Sequence, residues 1–345
     1  MTYNELRKDY LLNRWVVSAT ERARRPNDFV KPKTVQAKAD TCPLCPGNEH
    51  MTPPAVLTYL RTERGTRKDR EEGNFRFKTW LVRTVPNMFP AFTPPKNPSD
   101  AQNIMQNENF GKAIGHHEVL IETPNHNDHP PDTPLPQLIN VIDAYKDRLI
   151  EISSKPYVKY VQIFRNHGVE AGASLSHPHS QIIAVPFLPT IPGEEMAASK
   201  TYFDHHGSCI FCDITNKEKQ TERHILENDY FEVFAPYASV HPVEFWIVPK
   251  HHATNILDLN LDETRSFAQT LQTTLKALKV LVNDPPYNFG IHQAINEDSR
   301  GWYHWHVEVY PHLAIWAGFE KSTGMYINTI TPETAAQELR KIIQT

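Results

Sequence analysis

Four cysteines are all the chain contains, and they fall into two Cys-x-x-Cys pairs, Cys42-Pro-Leu-Cys45 and Cys209-Ile-Phe-Cys212. Each pair opens the same sequence of events. In the first half a strand-like run, EVLIETPNH (118–126), ends at His126. A helical pattern over 135–153 follows, with Leu138, Val141, Ile142, Tyr145, Leu149 and Ile150 at helical spacing. Then come YVQIFRN and His177-Pro178-His179. In the second half EFWIVPKHH (244–252) ends at His252. A helical pattern over 261–282 carries Phe267, Leu271, Leu275, Leu278 and Leu281, and YNFGIHQAIN and His304-Trp305-His306 close the unit. His126 and His177 are 51 positions apart, and His252 and His304 are 52 apart. This duplicated frame predicts an α+β fold of two tandem units, each an antiparallel sheet with helices. We place the units at 1–195 and 196–345, dividing in LPTIPGEEMAASKTYFDHHGS. The distance from second cysteine to histidine is 81 residues in the first half and 40 in the second, so the first half carries an insertion near 50–110. Its segment RTERGTRKDREEGNFRFK reads as a solvated charged loop.

Two thiolates and two imidazoles make a closed tetrahedral zinc site with no position left for water. The expected ligands are Cys42, Cys45, His126 and His177 in one half, and Cys209, Cys212, His252 and His304 in the other. That makes two zinc ions per chain. His251 and His306 compete as ligands in the second half, and His116 and His117 in the first. The N-terminal MTYNELRKDYLLNRW is too polar for a signal peptide, and no apolar run of membrane-spanning length occurs. A cytoplasmic protein without a membrane partner is expected, and in that compartment paired cysteines bind metal more readily than they form disulfides. The net charge of −4, with no basic stripe beside the cysteines, argues against nucleic acid.

Residues 172–181 read GASLSHPHSQ and lead into an apolar run. In a strand, His177, His179 and Gln181 share one face at intervals of ~7 Å. With His177 held by a metal, His179 is a fixed neutral imidazole, a competent nucleophile near neutral pH. Asn166, Gly172 and Ser174 lie just upstream and suit a phosphate cradle. Gln181 can donate a hydrogen bond to a phosphoryl oxygen but cannot deliver a proton. In the repeat, His306 is the counterpart of His179, with Glu308 in place of Gln181 and no Gly-Ser approach. The second half therefore reads as scaffold.

His-Pro-His-Ser-Gln, together with Cys-Pro-Leu-Cys-Pro-Gly-Asn-Glu and the duplicated frame, resembles the galactose-1-phosphate uridylyltransferase family of the histidine-triad superfamily. The resemblance implies tandem histidine-triad-like units and a homodimer. It implies that His179 attacks the α-phosphorus of a nucleotide sugar, UDP-glucose, releasing glucose 1-phosphate, and that galactose 1-phosphate then takes the uridylyl group. By the same likeness Gln181 holds the α-phosphate oxygens, Asn166, Gly172 and Ser174 bind phosphate, and Arg22, Arg25 and Asn87 contact the nucleotide sugar. Gly318, Phe319 and Glu320 fall on a stretch that contacts the hexose. Two departures stand out. The familiar bacterial enzyme builds its second metal site from Glu and His, where this chain has two cysteines. Tyr326 also replaces a hexose-contacting Gln. Both are similar to the ADP-glucose phosphorylase branch, in which inorganic phosphate is the acceptor.

Overall fold

The computed structural model describes residues 4–19, 41–63, 65–102, 104–107, 109–295 and 297–345. The first half contributes β1 (Glu5–Lys8), β2 (Trp15–Ser18), β3 (Leu57–Thr62), β4 (Gly65–Asp69), β5 (Trp80–Pro86) and α1 (Pro98–Gln102). It continues through the small hairpin β6 (Met105–Asn107) and β7 (Phe110–Gly111) to β8 (His116–Ile121), α2 (Leu135–Ser153), β9 (Tyr160–His167) and β10 (His179–Val185). Helix α3 (Thr190–His206) crosses to the second half. There follow α4 (Ile210–Glu218), β11 (His224–Glu227), β12 (Phe231–Phe234), β13 (Phe245–Pro249), α5 (Leu261–Val282), β14 (Tyr287–His292) and β15 (His306–Pro311). The chain closes with α6 (Gly318–Thr323), β16 (Tyr326–Asn328) and α7 (Pro332–Ile343).

Among the described residues eleven strands form one antiparallel sheet, in the order β11-β12-β13-β15-β14-β9-β10-β8-β5-β3-β4. The predicted duplication is visible in that order. β3-β5-β8-β10-β9 and β11-β12-β13-β15-β14 have the same connectivity, and they join edge to edge where Asn166 of β9 pairs with Asn288 of β14. Joining the two inner edges pairs backbone groups that would otherwise lie open to aggregation. A separate small sheet pairs β2 with β1 and, in parallel, with β16, so both ends of the chain meet.

The α+β tandem arrangement is borne out, and so are both long helices. Alternate residues of the central strands, such as Ile163, Ile182 and Ala184, face α2 and α5, which pack on the same side of the sheet in one continuous core. α5 starts at a capping box, in which Asn260 Oδ1 accepts from the Glu263 amide and Glu263 accepts from the Asn260 amide. It stops at Asn283 in the left-handed region, φ 58°. Its five expected apolar residues are all buried. In α2 one expectation fails. Ile150 is 57% exposed, and Ile152 takes the core position. The core stripe runs 138, 141/142, 145, 149, 152, and residue 150 lies about 100° around the helix from 149.

The charged segment 61–78 is not simply a loop. Thr62 and Gly65 pair at the end of a hairpin, and Arg67, Lys68 and Asp69 lie on β4, the outermost strand. Its mostly exposed charges are what an unpaired sheet edge tolerates. Among the described residues β4 has no counterpart in the second half, so it is part of the extra length of the first.

Candidate active site

The loop after β8 and the turn before β10 bring His126 and His177 together over the Cys42–Cys45 loop. One donor atom from each of Cys42, Cys45, His126 and His177 lies within 4.8 Å of the others. Hydrogen bonds on the far sides of the rings set their orientation. His177 Nε2 donates to the Thr123 carbonyl at 2.8 Å, leaving the Nδ1 lone pair toward Cys45 Sγ at 3.4 Å. His126 Nε2 meets Ser176 Oγ at 3.1 Å, with Nδ1 3.1 Å from the same sulfur. Burial pushes the His177 pKa down to about 4, which keeps the ring neutral as a ligand must be. Outer hydrogen bonds of this kind are typical of metal-binding histidines.

Cys209, Cys212, His252 and His304 form a second such group. His252 Nε2 donates to the Arg300 carbonyl at 2.8 Å, and Nδ1 of both His252 and His304 lies 3.4 Å from Cys212 Sγ. Hydrogen bonds from Cys212, His252 and His304 hold the Cys209 thiol far below its ordinary pKa. Both groups could hold a metal ion. The competing histidines lie elsewhere. His251 is exposed and faces Glu263, His116 bonds the Tyr157 hydroxyl at 2.8 Å, and His117 bonds Gln181.

His306 belongs to a third buried group, with Glu195, His292 and Glu308, that could also hold a metal ion. His292 Nδ1 is 3.0 Å from both Glu195 oxygens, and Tyr303 donates to Glu195 at 3.1 Å. Burial alone would lower the His292 pKa, but the carboxylates of Glu195 and Glu308 outweigh it and lift the value to about 9. The cluster as it stands is thus an ion-paired network in which His292 lies between the carboxylates of Glu195 and Glu308. It occupies the repeat's equivalent of the His179 face and is closed from above. The His306 ring is fully buried, with Phe211 at 4.7 Å and Trp246 at 5.0 Å.

In the first half the corresponding face is less deeply covered: His179 is 7% exposed, and Gln181 and Ile183 are half-buried. His179, Gln181 and Ile183 alternate with Ser180, Ile182 and Ala184, which face α2. His179 Nδ1 donates to the His177 carbonyl at 2.7 Å. This fixes the tautomer and leaves the Nε2 lone pair able to attack an electrophile. Burial lowers the pKa of His179, so the ring is neutral at pH 7. Gln181 stands next along the strand, its Oε1 2.7 Å from His117 Nε2. Asn87 is brought to the same place, its Nδ2 3.1 Å from His117 Nε2. Asn166 lies at the end of β9 with its Oδ1 accepting from Asn288 at 2.8 Å. Its amide nitrogen faces Gly172, which has φ +86° and would meet it at 3.7 Å through an added Cβ. Ser174 lies exposed two residues on. Gly318, Phe319 and Glu320 are not joined to this face by hydrogen bonds among the described residues. They form the first turn of α6, where Glu320 accepts from the Ala317 amide at 3.0 Å. Arg22 and Arg25 lie outside the described residues.

Sequence reasoning missed the support beneath the strand. Buried Arg165 donates to the His179 carbonyl at 3.2 Å, pairs with Glu122 and donates to His129 Nδ1 at 2.9 Å. Ser180 also donates to Glu122. The available signal was an arginine at an inward position of YVQIFRN. Arg165→Met should destabilise the protein by ~3–5 kcal/mol, because Glu122 then stays buried without its cation. Urea titration of both proteins measures this, and Arg165→Lys should recover part of the loss.

The chain matches the model of the galactose-1-phosphate uridyl transferase N-terminal domain over residues 66–189 and that of the C-terminal domain over 195–344. It is 32% identical to an ADP-glucose phosphorylase of Arabidopsis thaliana, over 98% of this chain and 93% of that protein. It is 30% identical to a galactose-1-phosphate uridylyltransferase of Thermotoga maritima, over 98% of both. The crystal structure of an Arabidopsis thaliana ADP-glucose phosphorylase with bound ADP-glucose superposes with a TM-score of 0.81 at 29% identity, over 98% of this chain and 99% of that one. A uridylyltransferase structure superposes at 0.72 with 28% identity, over 99% and 98%.

Proposed function

Because the chain belongs to the galactose-1-phosphate uridylyltransferase family, we propose that it transfers the uridylyl group of UDP-glucose to galactose 1-phosphate through a covalent uridylyl-histidine on His179. The observation that carries this is the hydrogen bond from His179 Nδ1 to the His177 carbonyl, which leaves Nε2 as the free nucleophile. The Nε2 lone pair attacks the α-phosphorus. The bond from phosphorus to the bridging oxygen breaks, and its electron pair leaves on glucose 1-phosphate. A phosphate oxygen of galactose 1-phosphate then attacks the same phosphorus, and the N–P electron pair returns to His179. The leaving group is a stable anion in each direction, so no general acid is required. That matches an amide at position 181, which can hold a phosphoryl oxygen without donating a proton.

Zinc is the metal that two thiolates and two imidazoles favour. In this reading two zinc ions are bound per chain. The first, on Cys42, Cys45, His126 and His177, anchors the turn that presents His179. The second, on Cys209, Cys212, His252 and His304, is structural. Residues 1–195 form the catalytic unit and 196–345 the scaffold. Asn87, Asn166, Gly172 and Ser174 bind the nucleotide and phosphate, while Arg22 and Arg25 neutralise phosphate charge. Gly318, Phe319 and Glu320 meet the hexose. The protein acts in the cytoplasm as a homodimer.

One observation favours a second acceptor, inorganic phosphate. Tyr326 stands where the family has a hexose-contacting amide, and its ring packs on Trp316 at 4.8 Å. Pairing UDP-glucose or ADP-glucose with galactose 1-phosphate or inorganic phosphate, and following glucose 1-phosphate release, decides between the acceptors. Turnover that requires galactose 1-phosphate supports the first reading. Turnover with phosphate alone overturns it in favour of the second. In either case Gln181→Ala should slow transfer by ~10²–10³, the usual cost of losing one donor to a transition-state oxyanion. Its metal content should not change.

A further inference from the structure

His117 stands on β8 two pairs along the ladder from Gln181, opposite Ile183, and faces the same side of the sheet. Its two ring nitrogens have different neighbours. Nδ1 accepts from the Ala91 backbone amide at 3.1 Å. An amide N–H cannot accept, so Nδ1 carries the lone pair and the hydrogen of the neutral ring is on Nε2. Nε2 lies 2.7 Å from Gln181 Oε1, which makes this an N–H···O=C bond and fixes which end of the Gln181 amide points where. Asn87 is fixed the same way by a different donor, since its Oδ1 accepts from the Phe89 amide at 2.8 Å. The Gln181 amide therefore presents its NH₂ group, not its carbonyl oxygen, to whatever enters, and the Asn87 amide nitrogen, 3.1 Å from the protonated Nε2, is a close neighbour of the ring rather than its hydrogen-bond partner.

We propose that His117 is a positioning residue: it locks the Gln181 amide with its NH₂ toward the phosphoryl group being transferred. The proposal rests on the nucleotidyl-transfer reading. Its chemistry is specific. A Gln181 side chain free to flip would for part of the time aim its carbonyl oxygen at a phosphate oxygen, replacing a hydrogen bond by repulsion between two acceptors. Without a fixed donor the transition state loses orientation, and misplacement of a binding group commonly costs up to ~10²-fold in rate.

The test measures single-turnover formation of the His179 adduct from UDP-glucose and from ADP-glucose. It compares wild type, His117→Leu, His117→Gln, Gln181→Ala and the double variant that combines His117→Leu with Gln181→Ala. His117→Leu should lower the rate constant about 10- to 100-fold, with the half-saturating nucleotide sugar changed less than about threefold. His117→Gln, whose amide nitrogen reaches the place of Nε2, should recover most of the rate. The double variant should be no slower than Gln181→Ala, because His117 acts through Gln181. An unchanged rate in His117→Leu, or losses that simply multiply in the double variant, overturns the proposal. A ¹⁵N NMR spectrum of the wild-type imidazoles tests it without any variant that must fold. His117 must show an unprotonated Nδ1 and a protonated Nε2, and the opposite tautomer overturns it. Failure of wild type to form an adduct refutes the functional reading, and the tautomer measurement then decides the His117 assignment on its own.

Discussion

His179→Ala should retain the fold and both Cys2His2 groups and lose nucleotidyl transfer by a factor on the order of 10⁴ or more, the scale seen when an enzyme loses its nucleophile. The imidazole is nearly buried beside the half-buried Gln181, and its hydrogen bond goes to the backbone of the turn just before its own strand. Neither Cys2His2 group includes it. Strand β10 stays paired with β8 and β9 without the ring, and Arg165 still donates to the residue 179 carbonyl. The structural cost is that of one truncated side chain, ~1–2 kcal/mol. The chemical cost is far larger, because no second imidazole among the described residues takes its place on the face. His117 is engaged by Ala91 and Gln181, and His306 is sealed under Phe211 and Trp246. Rapid-quench measurement of glucose 1-phosphate release, beside elemental analysis and circular dichroism of the same preparation, checks all three parts.

Cys45→Ser should remove one metal equivalent, cost more than ~4 kcal/mol of stability and depress transfer as well. Cys45 Sγ lies close to both imidazoles of the first group, 3.1 Å from His126 and 3.4 Å from His177. A serine oxygen is harder than sulfur and protonated at neutral pH, so it does not replace the thiolate. Loss of the ion frees His177, and His177 supplies the carbonyl that fixes the His179 tautomer. Stability and catalysis are thus coupled at this site. Cys209→Ser separates the two effects. It should lose the other equivalent and comparable stability, while the surviving protein still forms the adduct. Metal counts by mass spectrometry, urea titration and single-turnover rates on both variants measure this contrast.

Much of this was legible in the sequence because duplication repeats each clue. Two cysteine pairs with histidines 51 and 52 residues apart point to two groups that could hold a metal ion, and the structure gathers each set within 4.8 Å. The helices at 135–153 and 261–282 were legible because each buries a long stripe with a 3.6-residue period. Other features were not. β4 carries charges on a sheet edge, where strand-forming residues give no apolar alternation. Parallel pairing of Tyr326 with Val16 joins the two ends of the chain, and no local pattern encodes a partner so remote. Arg165 and Glu122 each look like ordinary surface charges until the sheet buries them against each other. In the sequence His117 competes as a metal ligand, a common use of a histidine in a chain with paired cysteines. Its actual neighbours, Ala91 and Gln181, come from two other segments and become visible after folding.

The central claim is that His179 carries the nucleotide between donor and acceptor. Incubating the wild-type chain with UDP-glucose or ADP-glucose and no acceptor, then weighing the intact protein and mapping the modified peptide, tests it directly. The account predicts one nucleoside monophosphate bound per chain through acid-labile N–P linkage to His179, with one equivalent of glucose 1-phosphate released. Absence of an adduct with either donor, or an adduct on any other residue, would contradict it.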